Sequence, residues 1–114
     1  MIHLELPLCP SLNNMYGNSR QGRNIKQHYR EWIQEAGWDI QLARPRPGKV
    51  TGPYRVSISF PVTVRGDIDN RIKPIMDILV KHGITPDDRH AVSVAAERNS
   101  DVLAGRCVVK IEEA

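Results

Sequence analysis

Three features of this 114-residue chain predict an α+β fold, a small mixed or antiparallel sheet of about four strands with two helices packed on it. Apolar and polar residues alternate near both ends of the chain and again in its middle. Two other stretches carry apolar residues at helical spacing. The length suits one domain, residues 1–114, with a modest core, and no segment repeats.

Ile2, Leu4, Leu6 and Leu8 alternate with His3, Glu5 and Pro7, the pattern of a first strand with one face on the core. From Ser11 to Lys26 the chain turns polar, with Asn13, Asn14, Asn18, Arg20, Arg23 and Asn24 among glycines, and reads as a mobile loop. Its asparagine and arginine donors suit a phosphate-contacting arm, and an ordinary surface loop explains them as well. Tyr29, Trp32, Ile33, Ala36, Ile40 and Ala43 mark one face of a helix from about Gln27 to Ala43, and its aromatics read as core rather than as base-stacking platforms. The connector Arg44-Pro-Arg-Pro-Gly-Lys49 breaks that helix. Tyr54, Val56, Ile58, Phe60, Val62 and Val64 give the longest strand pattern, carried to a sheet edge at Arg65, with Pro61 pointing to an edge or a bulge. Val92, Val94 and Ala96 suggest a third strand, and Cys107, Val109 and Ile111 a fourth in which Cys107 is a small core residue.

The stretch from Arg65 to Arg89 is the chemically suggestive one. It holds Asp67 with Asp69, then Asp77, then Asp87 with Asp88, around one internal lysine, Lys73. Carboxylates crowded together repel unless a cation lies between them, and a hard divalent ion such as Mg²⁺ suits oxygen donors. If the strand continues through Asp69, Asp67 and Asp69 share a face. Asn70 then caps a helix starting at Arg71 or Ile72, with Pro74 in its first turn and Ile72, Ile75, Met76 and Leu79 as its buried stripe. Lys73 and Asp77 share a helical face. Gly83 is the expected C-terminal stop, and Pro86 sets a turn before Asp87 and Asp88. Asp88 approaches Asp69 only if the segment from Ile84 to Asp88 doubles back along the helix.

Lys and Arg number 16 against 13 Asp and Glu, a net charge of +3, which biases the chain toward polyanionic partners. Neither a signal peptide nor a membrane span is expected. Cys9 and Cys107 form neither a metal-type pair nor a disulfide framework, so a reducing, cytoplasmic setting is the expectation. His82 and His90 have no spacing that suggests a catalytic relay.

Asp67-Ile-Asp69-Asn70, Lys73, Asp77, Leu79, Gly83 and Asp87-Asp88 resemble the signature of the RusA family of Holliday junction resolvases. The opening Pro10-Ser-Leu-Asn13-Asn14-Met-Tyr16 is similar to that family's Pro-Ser-x-Asn-x-x-Tyr. Only Arg65 and Gly66 directly precede Asp67, where the family often carries a more basic run. The resemblance implies a homodimer that binds four-way DNA junctions and makes paired symmetric nicks with Mg²⁺, in DNA recombination and repair. It implies Asp67, Asp69, Lys73 and Asp88 as catalytic residues, with Asp67, Asp69 and Asp88 on the metal and Asp87 as a reserve ligand. Asn13, Tyr16, Arg20, Arg23, Lys26, Arg65 and Arg71 are the expected DNA contacts.

Phosphodiester hydrolysis gives these residues definite tasks. Carboxylates hold a cation that acidifies water, and a lysine offsets charge on the phosphoryl oxygens. Taken singly, each acid has an ordinary explanation: a strand-end turn residue, a helix partner of Lys73 or Lys81, or a turn cap. A non-catalytic module for branched DNA and a less specific metal-dependent nuclease or phosphohydrolase are the alternatives.

Overall fold

β1 (Ile2–Pro7) shows how alternation becomes a sheet: Leu4 and Leu6 are buried while His3 and Glu5 face solvent. In this computed structural model the described residues are 1–11, 16–19, 22–25, 27–44 and 46–114, with backbone alone at 16–19 and 22–25. β1 pairs antiparallel with the last strand, β6 (Arg106–Glu113), so that Leu4 lies opposite Val109 and Leu6 opposite Cys107. β6 in turn pairs antiparallel with β4 (Tyr54–Phe60), and β4 pairs parallel with β5 (Ala91–Arg98). The order β1-β6-β4-β5 is a four-stranded mixed sheet. Tyr54, Val56, Ile58 and Phe60 line one face of β4, each at most 1% exposed.

Two helices cover that face. α1 (Gln27–Leu42) buries Tyr29, Trp32, Ala36 and Ile40, and the Trp32 indole N–H donates to the Pro7 carbonyl at 2.8 Å. The aromatics are therefore core, as their spacing predicts. α2 (Ile72–Lys81) buries Pro74, Ile75, Met76, Ile78 and Leu79. It forms the crossover that parallel neighbours such as β4 and β5 require. Full burial of such side chains stabilises by roughly 1.5–3 kcal/mol each, so the two apolar stripes anchor both helices.

Three expectations change. The middle strand ends at Phe60, well short of Asp67: Pro61 offers no ladder N–H, and the chain turns as the Val64 N–H donates to the Pro61 carbonyl at 3.2 Å. β4 is also interior, flanked by β6 and β5, so Pro61 marks its end and not a sheet edge. Within the polar segment expected to be a loop, the backbone of Tyr16–Ser19 (β2) pairs antiparallel with Gly22–Ile25 (β3) as a ribbon. The edges of the sheet are β1 and β5, and on β5 Val92 and Val94 are 57% and 41% exposed.

Candidate active site

The acidic segment is a braced loop rather than a strand end. Asp67 has extended backbone and heads a 3-10 turn over Ile68–Arg71, with the Asn70 N–H on the Asp67 carbonyl at 3.3 Å. Asp69 and Asn70 lie inside that turn, so the alternate-residue face argued for Asp67 and Asp69 does not apply, and Asn70 is not the cap of α2. Arg71 occupies the cap position, without a side-chain capping bond. Gly66 takes a left-handed φ of 79°, which a side chain disfavours.

Two arginines hold the loop. Arg98, the last residue of β5, donates to the Gly66 carbonyl at 2.7 Å. Arg71 donates to the Arg65 carbonyl at 3.3 Å and to the Cys9 carbonyl, while the Cys9 thiol lies 3.1 Å from the Arg71 carbonyl. Arg71, expected at DNA, thus has two guanidinium nitrogens on main-chain oxygens. Cys9 and Cys107 are free and fully buried, and burial pushes both thiols up, Cys107 to about 12. Neither is poised as a thiolate nucleophile.

α2 carries Lys73 one turn beyond the loop. Its ammonium lies 3.0 Å from Asp77 and 3.7 Å from Asp88, with all three side chains partly exposed. The hydrogen bond to Asp77, then the charges of Asp77 and Asp88, raise the Lys73 pKa, so it stays protonated at neutral pH. The return of the chain that brings Asp88 here follows from a glycine stop. Gly83 adopts φ 70°, its N–H donates to the Val80 carbonyl, and the Ile84 N–H donates to the Leu79 carbonyl, both at 3.0 Å. That is a Schellman ending, with buried Ile84 packed into the core beside buried Leu79. Val50 then fixes the returning segment, its N–H on the Ile84 carbonyl at 2.8 Å.

Asp87 and Asp88 differ in role. Asp87 accepts from the Arg89 N–H at 3.1 Å and caps the 3-10 turn Asp88–His90. That backbone bond, then the neighbouring Asp88, hold its carboxyl below its ordinary range. Asp88 is left facing Lys73. The chemistry of the donor set suits a hard divalent cation, since Asp67, Asp69 and Asp88 are all exposed carboxylates. Within the described residues, however, no three His, Cys, Asp or Glu side chains are gathered closely enough to hold one.

Arg65 is exposed beside Gly66. Tyr16 and Arg23 belong to β2 and β3, whose side chains are not described, and Asn13, Arg20 and Lys26 lie outside the described residues. Sequence reasoning missed Arg98, which reads as a solvated strand end, and the buried, neighbouring hydroxyls of Tyr54 and Thr85. Tyr54 looked like one more alternating core residue, and Thr85 carried no signal beyond a turn next to Pro86.

Comparison with known proteins gives these residues a setting. The chain is 28% identical over 111 residues to the crossover junction endodeoxyribonuclease rusA of Enterobacteria phage HK97, covering 95% of this chain and 91% of that protein. It is 28% identical over 118 residues to the protein of the same name from Enterobacteria phage 82, covering 97% and 93%. The profile of the family described as endodeoxyribonuclease RusA matches residues 5–112, nearly all of the chain, which therefore belongs to the RusA family of endodeoxyribonucleases.

Proposed function

We propose that this protein is a Mg²⁺-dependent Holliday junction resolvase, a homodimer that makes paired symmetric nicks in four-way DNA during recombination and repair in the cytoplasm. The observation that carries the reading is the approach of Lys73 to Asp88 beside the braced Asp67–Asp69 loop, in a chain of the endodeoxyribonuclease family. In the proposed enzyme Asp67, Asp69 and Asp88 would hold the cation, with Asp87 as reserve, and that cation would supply an acidified water and offset phosphoryl charge. Lys73, kept charged by Asp77, offsets negative charge at the scissile phosphate. Arg65 meets the backbone near the cut, and Asn13, Tyr16, Arg20, Arg23 and Lys26 are the further DNA contacts in this reading. Arg71 contributes by keeping the loop in place.

A second copy is supported by the free edge of β5, where Val92 and Val94 are exposed and no proline or lysine blocks pairing. A two-fold axis there sets the Asp88 end of one β5 beside the Arg98 end of its partner, and two symmetric cuts need two sites so related. No helix in the described residues is long and apolar enough to cross a membrane.

The test uses synthetic four-way junctions, linear duplex and single strands, each with Mg²⁺ or EDTA, with the cut positions mapped. Symmetric nicks restricted to the junction and abolished by EDTA are expected. A gel shift with no cutting in Mg²⁺ makes the protein a binding module, and cutting of all substrates alike makes it a general nuclease.

A further inference from the structure

Trp38 lies on α1 away from the buried stripe and is 57% exposed, whereas Tyr29 and Trp32 of the same helix are buried. Its indole borders a groove of about 410 Å³ between α1 and the end of α2, lined also by Arg30, Gln34, Gln41, Lys81 and His82. Among the described residues no acid lines it. The other charges of α1 are turned elsewhere. Glu31 and Glu35 border a different groove, beside Pro7 and Cys9, and Asp39 meets Arg106 at 3.4 Å. Arg30 and Lys81 are both exposed, and neither takes part in an ion pair among the described residues. The floor of the groove depends on a glycine. Gly37 stands in the interior of α1, where glycine weakens a helix. A Cβ there would come within 3.0 Å of the His82 imidazole, so the missing side chain lets the end of α2 seat against α1.

An exposed indole flanked by two cations without acidic partners suits one class of ligand. Single-stranded nucleic acid is held by aromatic faces that stack on bases and by cations that follow the phosphates. We propose that this groove takes an unpaired nucleotide of the DNA substrate, its base stacked on Trp38 and its flanking phosphates held by Arg30 and Lys81. The amides of Gln34 and Gln41 offer donors and acceptors to the base edge. The position agrees with this use. Lys81 follows Lys73 and Asp77 at four-residue intervals along α2, roughly 12 Å from Lys73. The intervening Asp77 is neutralised by Lys73 at 3.0 Å. A strand that meets Lys73 can therefore continue into the groove. At the crossover of a four-way junction the base stack is interrupted, and extruding a base costs least where pairing is already disturbed. The inference deepens the junction reading and rests on it, needs no bound cation, and has a test that separates the two.

The whole chain, in EDTA, is titrated with a single-stranded oligonucleotide, a synthetic four-way junction and a linear duplex while tryptophan fluorescence is followed. The chain has two tryptophans and Trp32 is buried, so quenching reports on Trp38. Single strand and junction are expected to quench it. Trp38→Ala is expected to weaken binding of both about tenfold, with duplex affinity and melting temperature unchanged. Trp38→Phe keeps most of the affinity and loses the quenching. Arg30→Gln and Lys81→Gln each lower the slope of log affinity against log salt for the single strand by about 0.7. Wild-type affinity for single strand and junction in Trp38→Ala overturns the role of the groove and leaves the junction reading standing. An equal loss on linear duplex overturns the base stacking. A fall in the molecular mass of the DNA-free protein in Trp38→Ala makes the groove a contact between copies and overturns the proposal too. A wild type that binds none of these DNAs and cuts no junction removes the junction reading and this inference with it.

Discussion

The Lys73 ammonium lies 3.7 Å from the Asp88 carboxylate, although the two residues are separated by the rest of α2 and a glycine turn. This contact joins the start of the helix to the segment that returns beside it. Exposed pairs of this kind contribute little to folding, about 0–1 kcal/mol, so the arrangement serves position and charge more than stability.

Lys73→Ala is accordingly expected to leave the melting temperature almost unchanged and to slow junction cleavage by roughly 10²–10³-fold. Single-turnover cleavage rates beside junction binding in EDTA check this. A loss of affinity as large as the loss of rate would make Lys73 a phosphate anchor instead.

Asp67→Asn, Asp69→Asn and Asp88→Asn should each abolish cleavage while retaining junction affinity within about threefold, since removing negative charge does not weaken contact with a polyanion. Asp77→Asn should be milder, because Asp77 serves only to hold Lys73. The check is mobility shift in EDTA beside product mapping in Mg²⁺. Equal effects for Asp77 and Asp88 would contradict the division of roles.

Arg98→Ala removes the donor on the Gly66 carbonyl. A charged hydrogen bond contributes about 1.5–3 kcal/mol at most, and this exposed one should contribute less. Cleavage is expected to fall about tenfold, as misplacement of site residues can cost up to about 10²-fold. Arg98→Lys would restore part of the rate.

Gly83→Ala isolates backbone conformation. A Cβ at this position meets nothing within 4 Å, so the cost comes from φ 70° alone. Destabilisation of about 1–2 kcal/mol is expected in urea unfolding. No destabilisation would mean that the Schellman ending is not what turns the chain toward Asp88.

His82, at the α2 C-cap, has its pKa lowered by burial and then by Lys81. The unfolded chain therefore takes up a proton first as pH falls, so stability is complete above the ordinary value of 6.5 and declines below it. Urea unfolding at pH 5 and pH 8 should show a difference that shrinks in His82→Asn.

Much of this was legible in the residues. Alternation located β1, β4 and β6, helical spacing located α1 and α2, and Gly83 marked the turn between Lys73 and Asp88 because a left-handed residue there has few substitutes. The strand reading failed at Pro61, where continued alternation in Val62 and Val64 concealed a turn set by one missing N–H. β5 was legible as a strand and not as an edge, since neighbour order depends on the crossover rather than on local pattern. The site was legible as a set of acids. Its supports were not: Arg98 and Arg71 act on main-chain oxygens distant in the chain, and nothing in a one-dimensional pattern distinguishes them from ordinary surface residues.

The sheet order has a consequence for the newborn chain. β1, the earliest of these strands in chain order, has β6, the latest of them, as its sheet neighbour, and the same β6 closes the open side of β4. An emerging polypeptide can pair β4 with β5 but leaves its amino-terminal strand waiting, so assembly cannot proceed progressively from one end. Sheet assembly is deferred until the ribosome has delivered β6, and a nascent fragment lacking β6 carries the acids without that strand of their scaffold.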